Sequence, residues 1–225
     1  MTPPNVERTA DADACAARAA DLVADAVRQG ARHIVLAGGS TPVAAYERLS
    51  TMDLDWSAVH LWYGDERCVP FEDDESNHGQ IAAVLTAPGA TWHPMPGPLG
   101  PARGAIAYAA ELKADGPPDG AFDLVLNGMG PDGHTASLFP DHPGLTAGGV
   151  TTGVTDSPKP PPERITLTLD ALNAGASLIL MVTGVGKHDA LNRVLHDEPG
   201  PSTPSSLLAR DRLLVLADAA ALDGE

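Results

Sequence analysis

Cysteine is scarce in this 225-residue chain: Cys15 and Cys68 are the only two, far apart and with no Cys-x-x-Cys partner. That excludes a disulfide framework and a zinc knuckle, and it points to reduced thiols inside a cell. Long hydrophobic runs are missing as well, since no stretch approaches the roughly 20 apolar residues of a membrane-spanning helix. The opening residues, MTPPNVERTADADACAARAA, carry acids and no apolar centre, so they do not read as a secretion signal. Together these absences predict a cytoplasmic protein.

Positive charge is the third shortage. Fourteen basic residues stand against 30 acidic ones, for a formal charge of −16. Such a chain is not expected to bind nucleic acid or an anionic membrane. A small anion can still be held, but only by local donors. Lysine occurs just at Lys113, Lys159 and Lys187, so a basic residue beside a glycine turn stands out.

What is present is an alternation of helix-like and strand-like segments. Over 10–29, Cys15, Ala19, Leu22, Val23, Ala26 and Val27 recur at helical spacing, and Gly30 is a natural stop. Short apolar runs follow at 33–37, 59–63, 122–126, 177–182 and 212–217, which suit parallel strands covered on both faces. Further helices are expected over 42–49, 76–85, 102–114, 187–196 and 217–222. RITLTL (164–169) alternates instead, and is expected to have one wetter face, at a sheet edge or on an added subsheet. The Pro/Gly-rich pieces are short enough for surface loops. The expected architecture is one α/β domain over 1–225: a three-layer, Rossmann-like, mostly parallel sheet flanked by helices, with a small additional β element. Ligands of such folds sit beyond the carboxyl ends of the strands.

Three strand ends carry candidate chemistry. In HIVLAGGSTP (33–42), Gly38, Gly39, Ser40 and Thr41 precede Pro42, with Thr41 expected as helix cap and Pro42 in the first turn. Exposed N–H groups at a helix start form an anion site, most naturally for phosphate. The pattern matches neither GxGxxG nor GxxxxGK[ST], so no dinucleotide or nucleoside triphosphate is indicated. GVGKH (184–188) departs from the latter at Met181 and His188, yet Lys187 can meet a phosphate as a point charge. In YGDER (63–67), the Arg67 fork suits phosphate or carboxylate, and Asp65 can orient it or a sugar hydroxyl. The acidic run Asp73-Asp74-Glu75 reads as a solvated loop, and with His78 it lacks metal-ligand spacing. In NGMGPDGH (127–134), the glycines deliver His134 to the mouth of the sheet, and imidazole as a side-chain type titrates close to neutral pH. Neither Ser137 nor a cysteine looks activated, so His134 is expected to act on water. The other seven histidines have no comparable setting.

Taken together, GGSTP (38–42), WYGDER (62–67), SNHG (76–79), NGMGPDGHTASLFP (127–140), SPKPPPERITLTL (157–169) and GVGKHDAL (184–191) resemble the 6-phosphogluconolactonase family, in that family's order and over nearly the whole chain. The resemblance implies hydrolysis of 6-phospho-D-glucono-1,5-lactone to 6-phosphogluconate in the oxidative pentose phosphate pathway. It implies the fold shared with glucosamine-6-phosphate deaminases, no metal and no organic cofactor. It implies His134 as general base, with Asp132 and Gly130 in the same loop, Arg67 and Asp65 facing substrate, and Arg164 and Lys187 around the phosphate. Cys68, Asn127 and Asp170 depart from the usual pattern, away from His134 and the GGSTP turn. Backbone N–H groups of the Gly128–Gly133 loop, with Arg67, are the expected oxyanion donors. The expected partner is a small phosphorylated sugar lactone, bound by a monomer or small homo-oligomer. The rival readings are an amino-sugar-phosphate isomerase/deaminase and a non-catalytic sugar-phosphate sensor.

Overall fold

The computed structural model describes residues 3–225. The first strand, β1 (Asn5–Thr9), leads into α1 (Ala12–Arg28), whose start is capped by the Asp11 carboxylate accepting from Ala14 N–H. Helix α1 ends at Gln29, and Gly30 follows with φ +96°. Then come β2 (His33–Leu36), α2 (Ser40–Leu49), β3 (His60–Tyr63), β4 (Asp65–Arg67), α3 (Asn77–Val84), β5 (Thr91–Trp92) and α4 (Pro101–Asp115). The second half holds β6 (Leu124–Gly128), β7 (Thr151–Val154), β8 (Arg164–Leu167), α5 (Leu169–Asn173), β9 (Leu178–Val182), α6 (His188–His196), β10 (Leu213–Asp218) and α7 (Ala219–Asp223).

Seven strands form one parallel sheet in the order β1-β10-β9-β6-β2-β3-β5, flanked by helices, and β4-β8-β7 form a small antiparallel sheet. The apolar runs became the inner strands because both faces are covered: every residue of β9 is buried, as are Ile34, Val35 and Leu36 of β2. Chain order runs outward from β2 through β3 to β5 on one side, and from β6 through β9 to β10 on the other. The direction therefore reverses between β2 and β6, which opens a crevice at their carboxyl ends.

Two expectations need correction. β8 is the central strand of the small sheet, and its polar face is not wet. Thr166 is fully buried; its hydroxyl donates to Leu167 O at 2.9 Å and accepts from Ser137 N–H at 3.3 Å. The strand also stops at Leu167, where Thr168 caps α5 by accepting from Ala171 N–H. Histidines outside the glycine loop are not all isolated. At the amino ends of β2 and β3, His33, His60 and His93 stack with Trp62, whose ring lies 3.7 Å from that of His93 and parallel to it. His60 Nδ1 and His93 Nε2 are 2.9 Å apart, and His93 Nδ1 is 2.7 Å from a Glu111 carboxylate oxygen.

Candidate active site

A cavity of about 270 Å³ lies at the crevice, where the chain leaves β2, β3, β6 and β9. It gathers Gly38, Gly39, Ser40, Thr41, Asp65, Arg67, Gly130, His134, Arg164 and Lys187, residues up to 149 positions apart in sequence. Of the residues singled out from the sequence, Asp132 alone is not on the wall; it stands behind His134.

The glycine loop is built around the imidazole. Gly133 has φ +89°, a conformation that side chains resist, and it turns the chain so that Gly130 N–H donates to His134 O at 2.9 Å. Gly130 lies flat beneath the ring: a Cβ there would fall 2.0 Å from His134 Nδ1 and 2.5 Å from Asp132 Oδ1. From outside, Ser205 N–H and its hydroxyl both donate to Gly133 O at 2.9 Å. The glycines thus let the backbone close on a ring that no other residue type would admit.

His134 Nδ1 stands 2.6 Å from Asp132 Oδ1. A carboxylate only accepts, so Nδ1 carries a proton, and Nε2 has no protein partner among the described residues. Burial alone would raise the Asp132 pKa, but the hydrogen bond from His134 and the nearby charges of His134 and Lys159 outweigh it, holding the carboxyl well below its usual range. Lys159 was not singled out as a site residue. Its ammonium is 3.3 Å from Asp132 Oδ1 and 3.2 Å from His134 Nδ1. Its signal in the sequence was rarity, one of three lysines in an acidic chain.

Next to this pair, two of the expected backbone oxyanion donors are spent. Gly130 N–H and Gly133 N–H close the turn internally, at 2.9 Å each. Arg67 lines the cavity, with Nη1 tied to Glu75 O and Nε buried without a partner among the described residues. The Arg67 backbone is held by Glu66, fully buried, whose carboxylate accepts from the N–H groups of Arg67, Asn77 and His78 at 2.7 Å each. Asn77, also missed, donates through Nδ2 to Asp65 O at 2.9 Å and packs its Oδ1 against Gly38, where a Cβ would lie 2.0 Å from it.

The other end of the cavity is the start of α2. Gly39, φ +105°, is the residue before the helix, so Ser40 and Thr41 occupy its first turn and Thr41 is not the cap. No side chain caps this end, which leaves the N–H groups of the first turn for a ligand. The Thr41 and Thr183 hydroxyls are 2.7 Å apart; Thr183, at the end of β9, is a further residue that motif reading passed over. Lys187 donates to Met129 O, and burial with the charge of Lys159 lowers its pKa against the pull of Asp132. The segment carrying Lys187 is braced by Asp218, whose carboxylate accepts from Gly184 N–H at 3.0 Å.

The chain matches the family model for glucosamine-6-phosphate isomerases/6-phosphogluconolactonase over residues 7–216. A 6-phosphogluconolactonase of Mycobacterium leprae is 42% identical over 188 residues, which are 77% of this chain and 76% of that protein. One of Streptomyces coelicolor is 38% identical, over 93% of this chain and 88% of its own length. Among solved structures, a 6-phosphogluconolactonase from Trypanosoma brucei superposes with a TM-score of 0.85 at 26% identity, covering 99% of both chains.

Proposed function

The chain belongs to the family of glucosamine-6-phosphate isomerases and 6-phosphogluconolactonases, and from that premise we propose that it is a lactonase, hydrolysing 6-phospho-D-glucono-1,5-lactone to 6-phosphogluconate in the oxidative pentose phosphate pathway. The observation that supports this most directly is the Asp132–His134 contact, which fixes a proton on one ring nitrogen and leaves the other without a protein partner among the described residues.

In this reading His134 Nε2 takes a proton from water as the oxygen attacks C1 of the lactone. The negative charge that develops on the carbonyl oxygen is met by Arg67 and Lys159 rather than by the glycine-loop backbone. Collapse of the tetrahedral centre breaks the bond from C1 to the ring oxygen. The imidazolium returns its proton to that oxygen, giving a free hydroxyl, and the new carboxylic acid releases its remaining water-derived proton to solvent as the product leaves as a carboxylate. Asp132 steadies the imidazolium throughout and keeps the productive tautomer. The phosphate is held by the first turn of α2 with Gly38, Gly39, Ser40, Thr41 and Lys187, which fixes the ring relative to the attacking water. No metal or organic cofactor takes part. We further propose that the protein works in the cytoplasm as a monomer or small homo-oligomer, without nucleic acid. Among the described residues no helix is long and apolar enough to cross a membrane.

The lactone also opens unaided, so the test is rate above background. Freshly generated lactone is supplied and acid release is followed for wild type and His134→Ala, with glucosamine 6-phosphate assayed in parallel. The variant should lose about 10²–10⁴-fold in kcat while still binding 6-phosphogluconate. Equal rates would remove the base assignment, and turnover of the amino sugar alone would move the protein to the isomerase branch. Thr41→Ala with Lys187→Ala should weaken product binding, most visibly at low salt.

A further inference from the structure

Arg164 sits on the cavity wall, yet two of its three guanidinium nitrogens are committed elsewhere. Its side chain is 6% exposed. Nε donates to Pro161 O at 2.7 Å, and Nη2 donates to Pro160 O at 3.0 Å and to Lys159 O at 3.2 Å. One fork therefore gathers three successive carbonyls. The remaining nitrogen, Nη1, is 3.9 Å from Asp65 Oδ2. Asp65 is committed in turn: Ser137 Oγ donates to Oδ2 at 2.6 Å and Asn77 Nδ2 to Oδ1 at 3.2 Å. Among the described residues Nη1 makes no hydrogen bond, but Nε, Nη2 and both Asp65 carboxylate oxygens are bound, and freeing any of these for a ligand leaves an uncompensated buried group behind. The segment that the fork holds includes Lys159, whose ammonium donates to Asp132 Oδ1 and lies 3.2 Å from His134 Nδ1.

We propose that Arg164 is a positioning residue rather than a phosphate contact: by fixing the carbonyls of 159–161 it sets the Lys159 ammonium against the Asp132–His134 pair, with Asp65 as its buried counter-charge. Ser157 is a second tie on the same segment, donating from Oγ to Lys159 O at 2.8 Å and accepting from Lys159 N–H at 3.2 Å. A guanidinium suits the task and an ammonium does not, since only the planar fork reaches three carbonyls while keeping one edge for a carboxylate. The inference rests on the lactonase reading for its kinetic consequence, but its geometric content stands apart from turnover.

The test is a double-mutant cycle on the full chain, with Arg164→Lys and Ser157→Ala each made alone and in a Lys159→Met background. Two properties are read: kcat and KM on fresh lactone, and the 15N resonances of the His134 ring, which need no turnover. Displacing Lys159 should lower kcat roughly ten- to a hundredfold while KM and 6-phosphogluconate affinity stay within about twofold. The same variants should move the His134 resonances, and both effects should vanish once Lys159 is Met, because the groups act as one unit. Loss of 6-phosphogluconate affinity in both backgrounds would overturn the proposal in favour of direct phosphate contact. So would additive losses across the cycle, unmoved ring resonances, or a Lys159→Met protein with unchanged kcat. A wild type inactive on the lactone would sink the lactonase reading, while the resonances still decide this one. Should Arg164→Lys fail to fold, Ser157→Ala decides alone, since it leaves the buried charge in place.

Discussion

Gly130 leaves no room for a Cβ beneath the His134 ring, and Gly130→Ala tests what that closeness is for. Gly130 is not in the left-handed region, so alanine costs little in backbone strain and the perturbation is steric. The new methyl would sit 2.0 Å from Nδ1, 2.1 Å from Cε1 and 2.5 Å from Asp132 Oδ1. Non-bonded carbon contacts settle near ~3.5 Å, so the ring must retreat by more than ~1 Å. A shift of that size in a reacting group costs about 10²-fold, equivalent to about 2.7 kcal/mol of barrier. Overpacking should also take about 1–3 kcal/mol from stability, read as a lower melting temperature. The expected result is a folded protein with kcat down about 10²-fold and KM almost unchanged. Gly148→Ala is the control, since a Cβ there meets nothing within 4 Å. If Gly130→Ala retains wild-type kcat, the ring is either not where the geometry has it or not the base.

The two thiols should be inert in the native protein. Burial, the largest cause in each case, together with neighbouring carboxylates pushes Cys15 and Cys68 up to about 11. At pH 8 iodoacetamide should therefore label both roughly two orders of magnitude more slowly than a free cysteine, and rapidly once denaturant is added; fast native labelling would contradict the burial. The stack at the amino ends of β2 and β3 predicts acid lability. Burial, with the charges of neighbouring histidines, lowers the pKa of His33 and His60, so the unfolded chain binds protons more readily than the native one. Stability is then full above the ordinary imidazole range and falls as pH drops below about 6.5. Thermal melts across that window should show the decline, and His60→Gln should flatten it; a melting temperature independent of pH there would refute the reasoning.

Much of the fold could be read because the inner strands carry no alternation: runs such as LVL at 124–126 and LILMV at 178–182 have both faces to bury. Strands whose stabilisation lies in their partners could not be read. β1 holds a single strongly apolar residue, Val6, and forms because it lies beside β10 from the far end of the chain. β4 is Asp-Glu-Arg, and no propensity argument makes that a strand. It pairs with β8 while Glu66 is met by three backbone donors that the sequence does not announce. The RITLTL alternation was visible, but alternation says only that two faces differ. Here the polar face meets buried protein around Gly64 and Ser137 instead of water. At the site, the glycines and His134 stood out because their residue types are costly without a purpose. Lys159 did not, because its meeting with His134, 25 positions away, depends on a fork of hydrogen bonds from Arg164.

The small sheet stitches residues 65–67, 151–154 and 164–167 into one ladder, and Asp218 closes the loop that carries Lys187. The walls that carry Asp65, Arg67, Arg164 and Lys187 therefore depend on pairings that span much of the polypeptide, and such non-local contacts slow folding. On a nascent chain leaving the ribosome, the loop that carries Lys187 lacks its Asp218 brace until that segment has emerged.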